Sequence, residues 1–382
     1  MTVLLTGADG YLGWPTALRL ADRLDERIVC VDDFSRRDWV AESGSVSATQ
    51  IEDPEERFAR VENLSLVEGD LADRDFVLQL LDTHEPDTVL HAAAQPSAPY
   101  SSINGERALY TQRNNVSMTL NLLHGLHETG LSDTHFIETT TTGIYGAPHF
   151  PIPEGGLEVE RKGGSDEVPF PAMGGSWYHQ TKSFDAANMR LAESQFEFPM
   201  SEVRTAIVYG TETAETRAHE SPTRFDFDYY FGTVVNRFCA QAVAGYPITV
   251  YGKGEQRKPM VSLEDAVESL VRLVEQGNSG DDGIDVYNQV TRPIAIVELA
   301  ETIAEVGAEF DLDAEVKHYE NPREEDEEHK MEMENERFLE LVGGQRQELE
   351  SGIRDVLGTL VDERERIAAH EDRFLPGVLT DE

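Results

Sequence analysis

The chain has 382 residues, with 73 acidic against 32 basic side chains and a formal net charge of −41. So acidic a surface repels nucleic acid and anionic membranes, and no apolar run is long enough to span a bilayer, which excludes both as partners. The length exceeds what one hydrophobic core supports, so a large domain with a smaller second lobe is expected.

The first residues read as a strand rather than a signal peptide, and a soluble, cytoplasmic protein is expected. "TVLLTGADGYLGWPTALRLADRL" gives a short apolar strand, then Gly7, Gly10 and Gly13, then an amphipathic helix with Leu12, Ala17, Leu20 and Leu24 on its apolar face. Glycines between a strand and a helix permit a tight turn and let backbone N–H groups approach a pyrophosphate at the helix N-terminus. "RIVCVDDF" follows as a second strand ending in Asp32, where a carboxylate binds the adenosine ribose hydroxyls. This is a Rossmann dinucleotide site. Asp32 repels a 2′-phosphate and favours NAD; Arg36 and Arg37 behind it can instead neutralise one, or stand as solvated loop charges.

A polar insertion covers residues 38–63. "LSLVEGDLADRDFVLQLLDTH" then supplies a third strand ending at Asp70, with Leu71 placed to flank an adenine, and a helix. "DTVLHAAAQPSAPYS" is a fourth strand running into Ala92–Ala94, small residues beside which a cofactor can lie close to the backbone. "NNVSMTLNLLHGLHETG" is a long helix closed by Gly130, and "THFIETTTTGIYG" is a fifth strand entering a run of hydroxyl residues. In an open α/β sheet the ligand lies beyond the carboxyl ends of the strands, so Thr140, Thr141 and Thr142 are placed to hydrogen-bond a substrate alcohol.

"GGSWYHQTKSFD" sets Tyr178 and Lys182 four positions apart on one helix face, about 5–6 Å apart at Cβ, with His179 roughly 100° around the axis. An ammonium beside a phenol lowers the phenol's pKa, as a base for an alcohol proton needs. "SEVRTAIVYG" and "IDVYNQV" read as further strands, and residues 320–337 form an acidic run that reads as a solvated helix. Cys30 and Cys239 read as buried, reduced thiols without metal-ligand spacing, and no metal is expected. Only six residues are lysine, the rest of the basic set being arginine; acid excess with scarce lysine suits a cytosol at very high salt.

The glycine loop, Asp32, the threonine run before "YG" and Y-x-x-x-K, in this order, resemble the extended short-chain dehydrogenase/reductase family, whose epimerase/dehydratase members work on nucleotide sugars. "GADGYLGW", "VDDFSRR", "SAPYS", "YTQRNNVSMTLNLL", "SWYHQTK", "FDYYFGTVVNRFCAQAVAGYPITVYGKGEQ" and "NPREEDEEH" further resemble its sugar-sulfonating branch, which makes a UDP-linked sulfonated sugar from UDP-glucose and sulfite. The resemblance implies an α/β fold: a doubly wound parallel Rossmann sheet over residues 1–209, joined by about 233–291, with a nucleotide-sugar lobe from 210–232 and 292–382.

It also implies roles. Tyr178 takes the C4 hydroxyl proton as NAD accepts the hydride, Lys182 binds the nicotinamide ribose and holds the tyrosine ionised, and Thr141 binds the sugar; such a cycle needs a further acid/base for the C5 and C6 protons, and His179 either supplies it or only hydrogen-bonds within the helix packing. Around NAD it places Gly7, Gly10, Tyr11, Gly13, Asp32, Asp33, Arg36, Asp70, Leu71, Ala92, Ala93, Asn115 and Thr139, and around the UDP-sugar Gln95, Tyr100, Thr141, Asn236, Arg237, Tyr251, Lys258 and Arg323. Two positions depart from the branch: Pro96 replaces an arginine before "SAPYS", and Ile144 replaces a glutamate before "YG". A UDP-sugar 4-epimerase or 4,6-dehydratase, or a non-catalytic NAD-binding regulatory protein, are the other functions weighed. Sulfite, or a protein that donates it, and a homodimer through the Asn114–Gly125 and Tyr178 helices are the expected partners.

Overall fold

The computed structural model of the chain describes residues 1–170, 174–277, 283–320 and 330–376. In the first half the strands are β1 (Thr2–Thr6), β2 (Arg27–Asp32), β3 (Leu64–Glu68), β4 (Thr88–His91) and β5 (His135–Thr141), followed by a hairpin of β6 (Leu157–Arg161) and β7 (Gly164–Val168). The second half adds β8 (Met200–Thr205), β9 (Ile207–Tyr209), β10 (Ile248–Tyr251), β11 (Arg257–Ser262), β12 (Ile284–Gln289), β13 (Arg292–Ala295) and β14 (Val316–Tyr319).

Seven strands make one sheet in the order β12-β8-β5-β4-β1-β2-β3, parallel at every pairing. Strands covered on both faces read as unbroken apolar runs, and β1 does so. Val3 and Leu5 join the core on one face with Leu18, Leu270 and Phe338, while Leu4 joins Val77, Leu122 and Met189 on the other. Chain order reverses at β1, which lies between β2 and β4. The crevice beyond the carboxyl ends of β1 and β4 is therefore the ligand site such a sheet provides.

The remaining strands pair as β13-β11-β9 and β10-β14. They surround a second core built on Phe225, Phe238, Ile248, Leu299, Ile353 and Leu357. The expected long helix is longer still, Gly105–Glu128, and ends at Gly130 with φ +77°. The polar insertion is more ordered than its composition predicts. It folds as the helices Ser35–Glu42 and Pro54–Ala59, which bury Trp39, Val40 and Phe58. Cys30 and Cys239 are buried free thiols. The acidic run does not form the expected helix where it is described: residues 321–329 lie outside the described residues, 330–335 are non-helical with Met333 bridged to Ile152, and a helix, Glu336–Val342, begins only at the run's end. Among the described residues no helix is long and apolar enough to cross a membrane.

Candidate active site

The turn after β1 is built for a close approach. Gly7 sits at φ +72°, and a Cβ there would lie 2.7 Å from the Ala93 nitrogen. At Gly13 a Cβ would run into the Gly7 carbonyl. The helix Gly13–Arg23 that follows is uncapped by any side chain and has no acidic residue in its first turn. Pro15 has no N–H and those of Trp14 and Thr16 bond the Gly10 and Leu12 carbonyls, so what fits a dinucleotide pyrophosphate is the helix's positive dipole end together with the glycines that line the crevice.

Asp32, at the end of β2, accepts the Asp9 N–H at 2.9 Å and the Phe34 N–H at 2.8 Å. Burial pushes its carboxyl up to about 6. Asp33 accepts from the Ser35 hydroxyl at 2.6 Å. Arg36 and Arg37 are not solvated loop charges. Arg37 binds Asp9 through two hydrogen bonds and Arg36 binds Asp226 at 2.6 Å while stacking 4.2 Å over Phe231. Asp9 is held a second time by buried Arg57, itself 3.9 Å over the Trp14 ring. Both guanidinium groups are engaged by carboxylates rather than held open for a 2′-phosphate, and the fit is to NAD.

One continuous cleft of about 1320 Å³ joins this crevice to the second lobe. Drug-sized ligands occupy roughly 300–1,000 Å³, so the space suits two large ligands side by side. Gly7, Gly10, Tyr11, Gly13, Asp32, Asp33, Arg36, Leu71, Ala92, Ala93 and Thr139 all line it, as do Thr141, Tyr178, His179, Lys182, Asn236, Arg237, Tyr251 and Lys258. Tyr11 also ties the glycine loop to the far side, donating its hydroxyl to the Gly210 carbonyl at 2.5 Å.

Four expected contacts are corrected: three of the side chains turn into the protein, and the fourth, Asp70, points to solvent. Asp70 is exposed outside the cleft and caps the Ala72 N–H at 2.8 Å. Asn115 is buried, accepting the Gln95 N–H and donating to Gln95 O and Thr181; its neighbour Asn114 lines the cleft instead. Gln95 is buried and braces its own turn by accepting the Ser97 N–H at 2.9 Å. Tyr100 is buried against Trp39 and Phe231, with its hydroxyl on Glu42. Arg323 lies outside the described residues. Of the two departures, Pro96 lines the cleft, whereas Ile144 packs in an apolar cluster with Tyr145, Ile152, Phe170 and Met331.

The helix Trp177–Phe196 starts at Ser176, whose hydroxyl caps the His179 N–H at 3.1 Å. That places its first turns at the mouth of the crevice, so His179 enters the cleft despite its different angle on the helix. Its ring lies over Gly143, where any Cβ would strike it, and 5.2 Å from the Tyr178 ring. Thr139 donates to the His91 carbonyl and Thr140 to Glu202, while Thr141 accepts the Gly143 N–H. Of the run, Thr141 and Thr142 line the cleft without a hydrogen bond donated by their hydroxyls among the described residues.

Lys182 gives the largest departure from expectation. Its ammonium is buried, 2.8 Å from Glu138 on β5 and 3.3 Å from Asp185 one turn along its own helix. These two carboxylates raise the lysine's pKa against the burial that lowers it. Tyr178 is shifted up, not down: burial is the largest cause, Lys182 opposes it, and Asp185 and Glu138 add to it. Burial thus outweighs the lowering that Lys182, with Arg36, supplies, and the two acids that share the lysine's charge offset part of that lowering.

A profile of the NAD dependent epimerase/dehydratase family matches residues 3–290. The chain is similar to the UDP-sulfoquinovose synthase of Sulfolobus acidocaldarius, at 37% identity over 86% of this chain and 84% of that one. It is also similar to the chloroplastic UDP-sulfoquinovose synthase of Spinacia oleracea, at 35% identity over 89% and 71%. Among solved structures, a Thermotoga maritima UDP-glucose 4-epimerase with UDP-glucose matches with TM-score 0.70 at 21% identity, covering 94% of this chain and 98% of that one. A Bacillus cereus UDP-glucuronic acid 4-epimerase with UDP-glucuronic acid and NAD matches with TM-score 0.70 at 19% identity, covering 95% and 99%.

Proposed function

The chain belongs to the NAD dependent epimerase/dehydratase family, and from that membership we propose that it converts UDP-glucose and sulfite to UDP-sulfoquinovose, as a cytoplasmic homodimer. Its cofactor is NAD. The observation that carries the reading is the Tyr178, Lys182 and Thr141 constellation in one cleft with the glycine turn and Asp32, together with the two synthase relatives above 30% identity.

NAD supplies a hydride acceptor when bound, held by the Gly7–Gly13 turn, Asp32, Leu71, Ala92 and Ala93. Thr141 orients the sugar C4 hydroxyl, and Tyr178 takes its proton as C4 is oxidised. The 4-ketone acidifies the C5 proton, which His179, lying between Gly143 and Tyr178, is placed to remove and to pass to the departing C6 oxygen. Sulfite adds at C6 of the resulting enone as C5 takes up a proton again, and reduction at C4, with the proton held by Tyr178 returned to its oxygen, closes the cycle. Asn236, Arg237, Tyr251 and Lys258 hold the UDP half; the helix Val234–Ala244 and β10, which carry the first three, pack into the second core with residues from 210–232 and 292–382, the lobe we assign to the nucleotide sugar.

The reading is tested by mass spectrometry of products from UDP-glucose, NAD and isotopically labelled sulfite in concentrated potassium chloride. The expected product carries the label in place of the C6 oxygen. UDP-galactose or an unlabelled 4-keto sugar would move the protein to the 4-epimerase or 4,6-dehydratase chemistry that Pro96, lining the cleft where the branch has arginine, favours.

The dimer is proposed to form through the Gly105–Glu128 and Trp177–Phe196 helices. Trp177, Phe184 and Leu191 recur every seventh residue on one helix, 54%, 43% and 56% exposed, and Leu109 on the other is 49% exposed. Contiguous exposed apolar side chains of this size mark an interaction surface. Leu191→Glu with Phe184→Glu is expected to halve the sedimenting mass; a wild-type protein that already sediments as a monomer would end the proposal.

A further inference from the structure

Beneath Tyr178 and Lys182 lies a buried ionisable cluster that the proposed chemistry does not use. Glu138 reaches it from β5, Asp185 from the Trp177–Phe196 helix and His91 from β4, and all three are fully buried. Glu138 Oε1 lies 2.8 Å and Asp185 Oδ2 lies 3.3 Å from Lys182 Nζ. The second Glu138 oxygen faces His91 Nε2 at 3.8 Å, and neither atom has a hydrogen-bond partner among the described residues. His91 Nδ1 meets the Thr6 hydroxyl at 2.7 Å. The neighbouring charges from β8, Glu202 and Arg204, are paired with each other at 2.8 Å.

Charge counting constrains this cluster. Glu202 and Arg204 cancel, and His91, buried beside the Lys182 ammonium, is held neutral, with its pKa well below the ordinary value. That leaves one ammonium against two carboxyls. Two ionised carboxylates would outnumber Lys182 and leave a net negative charge in the interior, which is unfavourable; the other nearby cation, Arg190 on the same helix, acts on Glu202. One proton held between the two carboxyls removes that charge. Both Glu138 and Asp185 are accordingly shifted up, chiefly by burial.

We propose that Glu138 and Asp185 share one proton beneath Lys182, and that this proton sets the charge the lysine presents to Tyr178. Both are positioning residues: they act on the phenol through the ammonium and touch neither substrate nor cofactor. The order of ionisation follows. As pH rises the pair loses its shared proton first, the cluster turns net negative, and Tyr178 must then ionise against that charge. The carboxyls thus hold the phenol back to higher pH than Lys182 alone would require.

This inference rests on the assignment of Tyr178 as the base, so its test has two arms. In single-turnover reduction of NAD by UDP-glucose, Glu138→Gln is expected to move the acid limb of the pH–rate profile down by about one unit, because a like charge within a few ångströms shifts a pKa by about that much. At a fixed pH on the limb the rate then rises about tenfold. A residue that only fills space would lower thermal stability and leave the profile superposable on wild type, which would overturn the proposal. Asp185→Asn is read the same way if Glu138→Gln does not yield folded protein. In the second arm, infrared difference spectra of the wild-type protein titrated from neutral to alkaline pH are expected to lose one protonated-carboxyl stretch. Absence of that band overturns the shared proton without reference to turnover. Wild-type protein that forms no reduced cofactor would instead count against the base assignment, and the infrared titration would still decide the inference.

Discussion

Tyr178→Phe is expected to slow hydride transfer from UDP-glucose by roughly 10³-fold, within the range by which a positioned general base accelerates proton transfer. The substitution removes one oxygen from a side chain that lines the cleft beside Lys182 and His179. NAD affinity, read by fluorescence titration, is expected to stay within about fivefold, since the ring remains and a hydroxyl contributes about 1 kcal/mol or less to a neutral hydrogen bond. The sign of the pH dependence follows from the same group. Burial raises the phenol above its ordinary value, the ionised form is the base, and the wild-type rate therefore climbs as pH rises from neutral. Phenylalanine cannot ionise, so the residual rate of the variant loses that climb. A variant retaining more than about a tenth of the wild-type rate would transfer the base role elsewhere, because loss of a real general base costs about 10²-fold or more. His179, whose ring lies 5.2 Å from Tyr178, would be the next residue to replace.

Which parts of this site could be read from sequence depended on how far apart the partners lie in the chain. Gly7, Gly10, Gly13 and Asp32 are legible because one turn and two adjacent strands specify them, and the spacing alone fixes their geometry. Tyr178 and Lys182 are legible because four residues make one helical turn. Neighbourhood without geometry misled at Gln95, Tyr100 and Asn115: each flanks the cleft in sequence, but each side chain is needed inward to satisfy a buried turn or to pack on Trp39. Glu138 was missed altogether, since its partner Lys182 lies 44 positions later. A signal did exist. A single carboxylate within "HFIETT", the run of a strand buried on both faces, demands a buried cation. Asp185, three residues after Lys182 on the same helix face, was equally available. The insertion was misjudged because Arg57 counts as a surface charge by composition, whereas here it is buried between Asp9 and the face of Trp14.

Removal of salt is expected to unfold the protein, and the distribution of its charges explains why. The scarce cations are spent inward: Arg19 binds Glu215, Glu264 and Glu268, Arg204 binds Glu202, and Arg57 binds Asp9. Exposed arginines such as Arg74, Arg217 and Arg354 each pair one surface acid, but acids outnumber them and carboxylates still face one another, as on the β6/β7 hairpin, where exposed Glu158 stands directly opposite exposed Glu167. Like charges opposed across a strand pair are destabilising, and a net charge of −41 repeats the effect over the whole surface. The Debye length is about 10 Å at 0.1 M salt and about 3 Å at 1 M, so only concentrated salt screens neighbours at this density. We expect thermal unfolding in about 0.1 M potassium chloride to fall at least roughly 10 °C below that in about 3 M, equivalent to several kcal/mol in a chain of this size. Hydrogen exchange is expected to show the hairpin amides losing protection first. Sucrose separates screening from general stabilisation, because it strengthens burial by exclusion from the surface without touching charge. If sucrose at low salt restored stability as fully as potassium chloride, or if unfolding were indifferent to salt, charge repulsion would not be what the acidic surface imposes on this fold.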